Sequence, residues 1–187
     1  HKRQAAAYYE SAYMEEKPFM NKQIGFVDFN LDNFHANTYL AAIRKELSGR
    51  GFSVAGCHGL EEAAGRQWAK KNNVPYFDSM AELDKAVDCY MVLAPSNPET
   101  HWALCRKVFP MRKPTYVDKT FAPDLKTAEK IFALADKYGI AMQSTSALRY
   151  TKIQDHVRAV GANNVRQMVA WGPGRSFEEY AVHPVEL

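Results

Sequence analysis

Cysteine is scarce in this sequence, and the few present are badly placed for the paired roles cysteine usually plays. Cys57, Cys89 and Cys105 are odd in number and show no Cys-x-x-Cys spacing. That argues against a disulfide framework and for reduced thiols in a cytoplasmic protein. No metal is expected. Long apolar runs are also lacking; the longest are strand-sized, so nothing here is expected to span a membrane. No charge dominates. A net charge of +3, with Lys and Arg alternating with Asp and Glu, is too small and dispersed to argue for nucleic acid and reads as solvated helix faces. There is neither a repeat at a solenoid period nor a low-complexity tract.

What is present is ordinary for a globular chain. The 187 residues are 47% hydrophobic and 24% charged, enough for one domain or for one domain plus part of another. Residues 1–19 stand apart: they are rich in Ala, Tyr and Glu and precede a plausible start at Met20. They lack the apolar core and cleavage site of a signal peptide. A vector-derived or upstream extension and a native helical arm are both open.

From Gln23 onward, short apolar runs alternate with amphipathic segments, the pattern of a parallel sheet flanked by helices. Strands are expected at Ile24 to Val27, Phe52 to Cys57, Pro75 to Phe77, Asp88 to Leu93, Pro114 to Val117 and Ile140 to Gln143. Helices fall between them. One carries Leu40, Ile43 and Leu47 on one face, and the others run over Glu61 to Lys71, Ser79 to Ala86 and Pro98 to Val108. The last helix of the unit is the best marked: Asp124 caps it, Leu125, Ala128, Ile131, Phe132 and Ala135 form its stripe, and Gly139 ends it. After Tyr150 the pattern changes. A helix from Lys152 to Val160 leads into Val165 to Trp171, an alternating segment that suits a strand of a different, half-exposed sheet. The fold class is therefore α/β, a Rossmann-like doubly wound parallel sheet over 20–148. It is followed over 149–187 by the start of an α+β second domain, too short to bury a core alone.

In such a sheet ligands bind beyond the carboxyl ends of the strands. Four strand ends carry polar groups. After the first strand a dinucleotide fold wants glycines for a tight turn, close pyrophosphate approach and helix packing. Here Val27-Asp28-Phe29-Asn30 leads on to Asp32 and Asn33, and only Gly25, within the strand, remains. Asn tolerates a left-handed backbone, so the turn can form. Asp32 is placed to cap the following helix. Each carboxylate about 5 Å from a pyrophosphate would cost about 3 kcal/mol per charge pair at an effective dielectric of about 20. After the second strand, His58 stands where an acid normally accepts from the adenosine ribose. It could face a 2′-phosphate or be a solvated loop residue.

After the fourth comes Ala94-Pro95-Ser96-Asn97, small and turn-forming, where Asn97 can cap a helix. His101 follows, by general expectation a packing or surface residue. After the fifth comes Asp118-Lys119-Thr120. A Lys at the end of a buried strand is costly unless it has a task, such as hydrogen bonding to a substrate hydroxyl. A plain Asp–Lys pair at a loop start explains it equally well.

Gly25, Ala94-Pro95-Ser96-Asn97 with His101, Asp118-Lys119-Thr120 and Ala147-Leu148-Arg149-Tyr150 occur in the order seen in the Gfo/Idh/MocA oxidoreductases, which this sequence resembles from about Met20 to its end. The resemblance implies NAD or NADP as cofactor, bound by Val27, Asp28, Phe29, Asn30, His58, Ala94, Pro95, Ser96, Asn97, His101, Asp118 and Lys119. It maps the catalytic lysine onto Lys119. The family's D-x-x-x-H motif is similar to Glu179 through His183, so His183 becomes the proton-transferring residue and Glu179 its carboxylate partner. The implied reaction is hydride transfer to or from a sugar or polyol carbon. Association into a homo-oligomer is implied only by the family. A cofactor-free relative serving as a binding or assembly subunit is the alternative, and retained chemistry without redox turnover is a third reading.

Overall fold

A computed structural model of the chain describes residues 22–95, 97–172 and 177–186, with the side chains of 178 and 179 outside that description. Residues 1–19, read as an extension, lie outside it too. Five parallel strands form one sheet: β1 (Lys22–Asp28), β2 (Phe52–Gly59), β3 (Cys89–Val92), β4 (Thr115–Val117) and β5 (Met142–Gln143), in the spatial order β2-β1-β3-β4-β5. The segment read as a strand at Pro75 to Phe77 shrinks to a single parallel bridge between Cys57 and Tyr76. Because β1 occupies the other edge of β2, this bridge adds a vestigial strand outside β2. The order then becomes the 3-2-1-4-5-6 arrangement of the Rossmann sheet.

Helices cover both faces. On one face lie α1 (Phe34–Ala42), continued by a wide π turn (Ile43–Leu47), and α2 (Glu62–Asn72). Ala36, Leu40, Ile43 and Trp68 pack there with Ile24, Phe26 and Cys57. On the other lie α3 (Met80–Ala86), α4 (Pro98–Val108) and α5 (Leu125–Tyr138), whose Leu83, Leu104, Val108 and Ile131 pack with Val27, Val92 and Val117. Coverage on both sides explains why β1 is a nearly continuous apolar run rather than an alternating one. α5 has the expected ends: Asp124 Oδ1 accepts the Thr127 N–H over 2.7 Å, and Gly139 closes the helix at φ 67°. Gly25 and Gly56 let neighbours close in. A Cβ on Gly25 would sit 3.1 Å from the Tyr90 ring, and one on Gly56 only 2.4 Å from the Phe77 ring.

Beyond the sheet, a 3-10 turn (Ala147–Tyr150), α6 (Lys152–Val160), α7 (Phe177–Tyr180) and α8 (Val182–Val185) follow. One expectation fails here. Val165 to Trp171 is not a strand, and Met168, Val169 and Trp171 are exposed. A strand requires a hydrogen-bonding neighbour, and none lies beside this segment among the described residues. Among those residues no helix is long and apolar enough to cross a membrane. Cys57 and Cys105 are buried and Cys89 half-buried, as free thiols. Burial pushes the Cys57 and Cys105 thiols up to about 12.

Candidate active site

The β1–α1 turn is built from side chains where a dinucleotide fold uses bare backbone. Asp28 is 1% exposed. Its Oδ1 accepts the Asn30 N–H over 3.2 Å, and its Oδ2 accepts from Asn33 Nδ2 over 2.8 Å. Burial pushes this carboxyl up to about 6, against the pull of those donors and of the Ala94 N–H. The capping residue is Asn33 rather than Asp32: its Oδ1 accepts the Ala36 N–H over 2.9 Å. The helix begins at Phe34, which puts only Asn33 three residues before that donor. Neither Asn30 nor Asn33 takes the left-handed backbone; the non-glycine residues that do, among those described, are Asn73, Ala94 and Arg112. Asn30 Nδ2 reaches across to Glu61 Oε2 over 2.7 Å, so the turn is braced against the start of α2.

Ala94 is the left-handed residue of the neighbouring loop, at φ 61°. It joins Asp28, Phe29, Asn30, Pro95 and Asn97 around a cavity of about 240 Å³ at the switch point between β1 and β3. Ser96 lies outside the described residues. Asn97 holds the N-cap position of α4 without a side-chain bond. Val27 is wholly buried beneath, its carbonyl accepting the Leu93 N–H over 2.9 Å.

His58 is not a solvated loop residue. β2 runs two residues past the expected end, so His58 belongs to the strand, 9% exposed, with Nδ1 3.0 Å from the Phe77 carbonyl. His101 is fully buried, with Nδ1 2.9 Å from the Phe121 carbonyl and Nε2 against the Leu93 carbonyl. It links the loops after β3 and β4, and its ring nitrogens do not face the 240 Å³ cavity.

At the end of β4, Asp118 has no exposed surface. It accepts from His35 Nδ1, from the Lys119 N–H over 2.8 Å, from the Tyr116 hydroxyl over 3.2 Å and from the Tyr39 hydroxyl over 3.4 Å. The two hydroxyls are 3.2 Å apart, and burial with the Asp118 charge pushes Tyr39 up to about 12 and Tyr116 upward as well. Above this network, His35, Tyr39, Lys119, Thr145 and His183 line a cavity of about 310 Å³. His183 Nδ1 lies 2.6 Å from the Ser146 hydroxyl. Its pKa is lowered, first by burial and then by the positive charges of Lys119 and His35, with Glu186 and Asp118 acting the other way. The Glu179 side chain lies outside the described residues; the observed partner of His183 is Ser146.

Lys119, Asp118 and His183 are therefore brought together, while His58 and His101 sit elsewhere. Reading the sequence missed His35, Tyr39, Tyr116 and Ser146. Two spacings carry a signal for the first three. His35 and Tyr39 stand i, i+4 on one helix face, and Tyr116 and Asp118 stand i, i+2 on one strand face.

The cavities test whether a dinucleotide fits. The 310 Å³ cavity has donors in Lys119 and Thr145 and room for a ring. The 240 Å³ cavity has small residues at Ala94 and Pro95; Asp32 stands at it exposed to solvent, and its buried acid, Asp28, is turned into the fold with its pKa pushed up to about 6. These residues fit the group, with a turn held by side chains in place of a glycine turn.

A doubly wound sheet with polar strand ends gathered at the switch point defines a Rossmann-like domain of the dinucleotide-binding type. The family described as "Oxidoreductase family, NAD-binding Rossmann fold" matches residues 25–146, and the chain belongs to this Gfo/Idh/MocA family. No curated protein matches. Among solved structures it is similar to a dehydrogenase (MviM) from Clostridium difficile, 20% identical at a TM-score of 0.59, covering 80% of this chain and 46% of that one. It is also similar to UDP-N-acetylglucosamine 3-dehydrogenase GnnA from Acidithiobacillus ferrooxidans, 15% identical at 0.62, covering 76% and 44%. A third is biliverdin reductase in complex with biliverdin and NADP+ from Synechocystis, 15% identical at 0.57, covering 75% and 42%. The chain thus spans less than half the length of each.

Proposed function

We propose that this chain is the cofactor-binding part of an NAD(P)-dependent oxidoreductase that moves hydride to or from a hydroxyl-bearing carbon of a sugar or polyol, with Lys119 and His183 handling the hydroxyl proton. The observation that carries this reading is the meeting of Lys119 and His183, from well-separated parts of the chain, in one cavity beside the β4 end. The similarity to GnnA, a UDP-N-acetylglucosamine 3-dehydrogenase, supports the substrate class.

The nicotinamide would supply the hydride acceptor or donor. The turn from Val27 to Asn30, with Ala94, Pro95, Ser96 and Asn97, would hold the phosphates and nicotinamide ribose, and His58 would stand near the adenosine ribose. Lys119 then donates a hydrogen bond to the substrate oxygen and stabilises negative charge there. His183, its pKa lowered, is suited to accept the proton near neutral pH. Glu179 is the proposed carboxylate partner of His183, four residues before it.

Titration with NADH and NADPH, followed by nicotinamide fluorescence, tests the reading; silence at millimolar cofactor would sink it and leave a cofactor-free binding role. Where binding is seen, Lys119→Ala abolishes turnover and leaves cofactor affinity largely intact.

A further inference from the structure

The cavity beside Lys119 holds two imidazoles built to the same plan. His35, in the first turn of α1, gives its Nδ1 to the buried Asp118. His183, at the other end of the chain, has its Nδ1 against the hydroxyl of Ser146, which is itself buried. Each ring is thus fixed at one nitrogen by a buried group. Both rings line the same cavity, and among the described residues neither Nε2 has a partner. A neutral imidazole whose Nδ1 carries the proton offers Nε2 as an acceptor. The Asp118 bond sets that tautomer for His35.

We propose that His35 is a further acid–base residue of this cavity, paired with His183 so that the two imidazoles take up one proton between them. The inference rests on the oxidoreductase reading only for the use made of that proton. When an alcohol carbon is oxidised, a bound nicotinamide would accept its hydride, and the O–H electrons would become the second C–O bond. The O–H proton passes to Nε2 of one ring, and carbonyl reduction returns it. Two rings charged at once would repel across the cavity, and Lys119 adds a third positive charge. Among the described residues, the groups facing the pair are Tyr116 on β4, Asp118 and Lys119 just after it, Tyr39 on α1, and Glu186 and Tyr180 beside His183. The charges of His35 and Lys119 both act on His183, so the rings are within electrostatic reach.

The ring protonated second titrates beside the charge of the first, so its midpoint lies lower than it would alone. NMR titration of the histidine side chains in the full chain, without cofactor, reads this directly. His35→Gln shifts the His183 midpoint upward, and an unmoved His183 midpoint overturns the proposal. If His35→Gln fails to fold, His35→Asn is read in the same way, upward supporting and unmoved overturning. NADH titration of the same samples keeps the two ideas apart: the shift without cofactor binding upholds the pair and refutes the oxidoreductase reading.

Discussion

Asn33 ties Asp28 to the first turn of α1: its Nδ2 donates to Asp28 Oδ2 over 2.8 Å while its Oδ1 accepts the Ala36 N–H over 2.9 Å. One amide thus shapes the turn, caps the helix and draws the carboxyl inward. A family that usually makes this turn from backbone alone here makes it from a network of Asp28, Asn30, Asn33 and Glu61. The acid that looked like an obstacle to phosphate is a buried, tethered group able to lose its charge.

Cofactor affinity should therefore depend on pH. Below about 6 Asp28 is mostly protonated, and its repulsion of a nearby pyrophosphate disappears. Calorimetric titration with NADH is expected to show tighter binding at pH 5.5 than at pH 8. Asp28→Asn, neutral at both, should gain roughly tenfold at pH 8, less than the full charge–charge cost of about 3 kcal/mol at 5 Å because the carboxyl points inward. Equal affinities at the two pH values, unchanged by the substitution, would falsify this.

The same group sets a pH dependence of stability. Its folded pKa of about 6 lies above the ordinary 3.8, so the folded state binds this proton more tightly than the unfolded chain. The charged form burdens the fold fully above pH 6, and the burden fades as pH falls towards 4. Two units correspond to about 3 kcal/mol, reduced in Asp28→Asn by the loss of one acceptor oxygen. Urea denaturation should find the variant more stable than the parent at pH 8 and no more stable at pH 4. The opposite trend would count against the buried charge.

Gly56 is predicted to resist any side chain. A Cβ there would lie 2.4 Å from Phe77 Cε2 and 2.9 Å from Leu83 Cδ1, and Leu83 is wholly buried. Gly56→Ala is expected to lose about 1–3 kcal/mol by overpacking, measured as a lower midpoint in thermal unfolding. Gly49→Ala, with open space around it, serves as the control.

Much of the architecture was legible because burial on both faces writes itself as apolar runs and helix stripes. The helices expected at about Pro98 to Val108 and about Lys152 to Val160 are both present over those spans. Val165 to Trp171 misled because alternation tells which face a strand would bury, not whether a neighbour exists to pair with it. His58 misled because a strand end cannot be placed to within two residues from propensity. Lys119 stood out, as a charge at the end of a buried strand must. His35 did not. A histidine in the first turn of a helix reads as surface until its partner is known, and Asp118 lies 83 residues away.

His101 invites the last prediction, since it sits within the family's loop motif yet turns both nitrogens to backbone carbonyls, of Leu93 and Phe121. It has no exposed surface, so it acts on the loops rather than on a ligand. His101→Phe keeps the apolar bulk but removes the ring N–H that one of these carbonyls accepts, at about 1–3 kcal/mol for a buried carbonyl left unpaired. The variant should unfold at lower denaturant. Any loss of cofactor affinity should track the loosening of the Ala94 and Phe121 loops, visible as faster amide hydrogen exchange there. A variant as stable as the parent, with slow exchange in both loops but no cofactor binding, would instead make His101 a direct ligand contact.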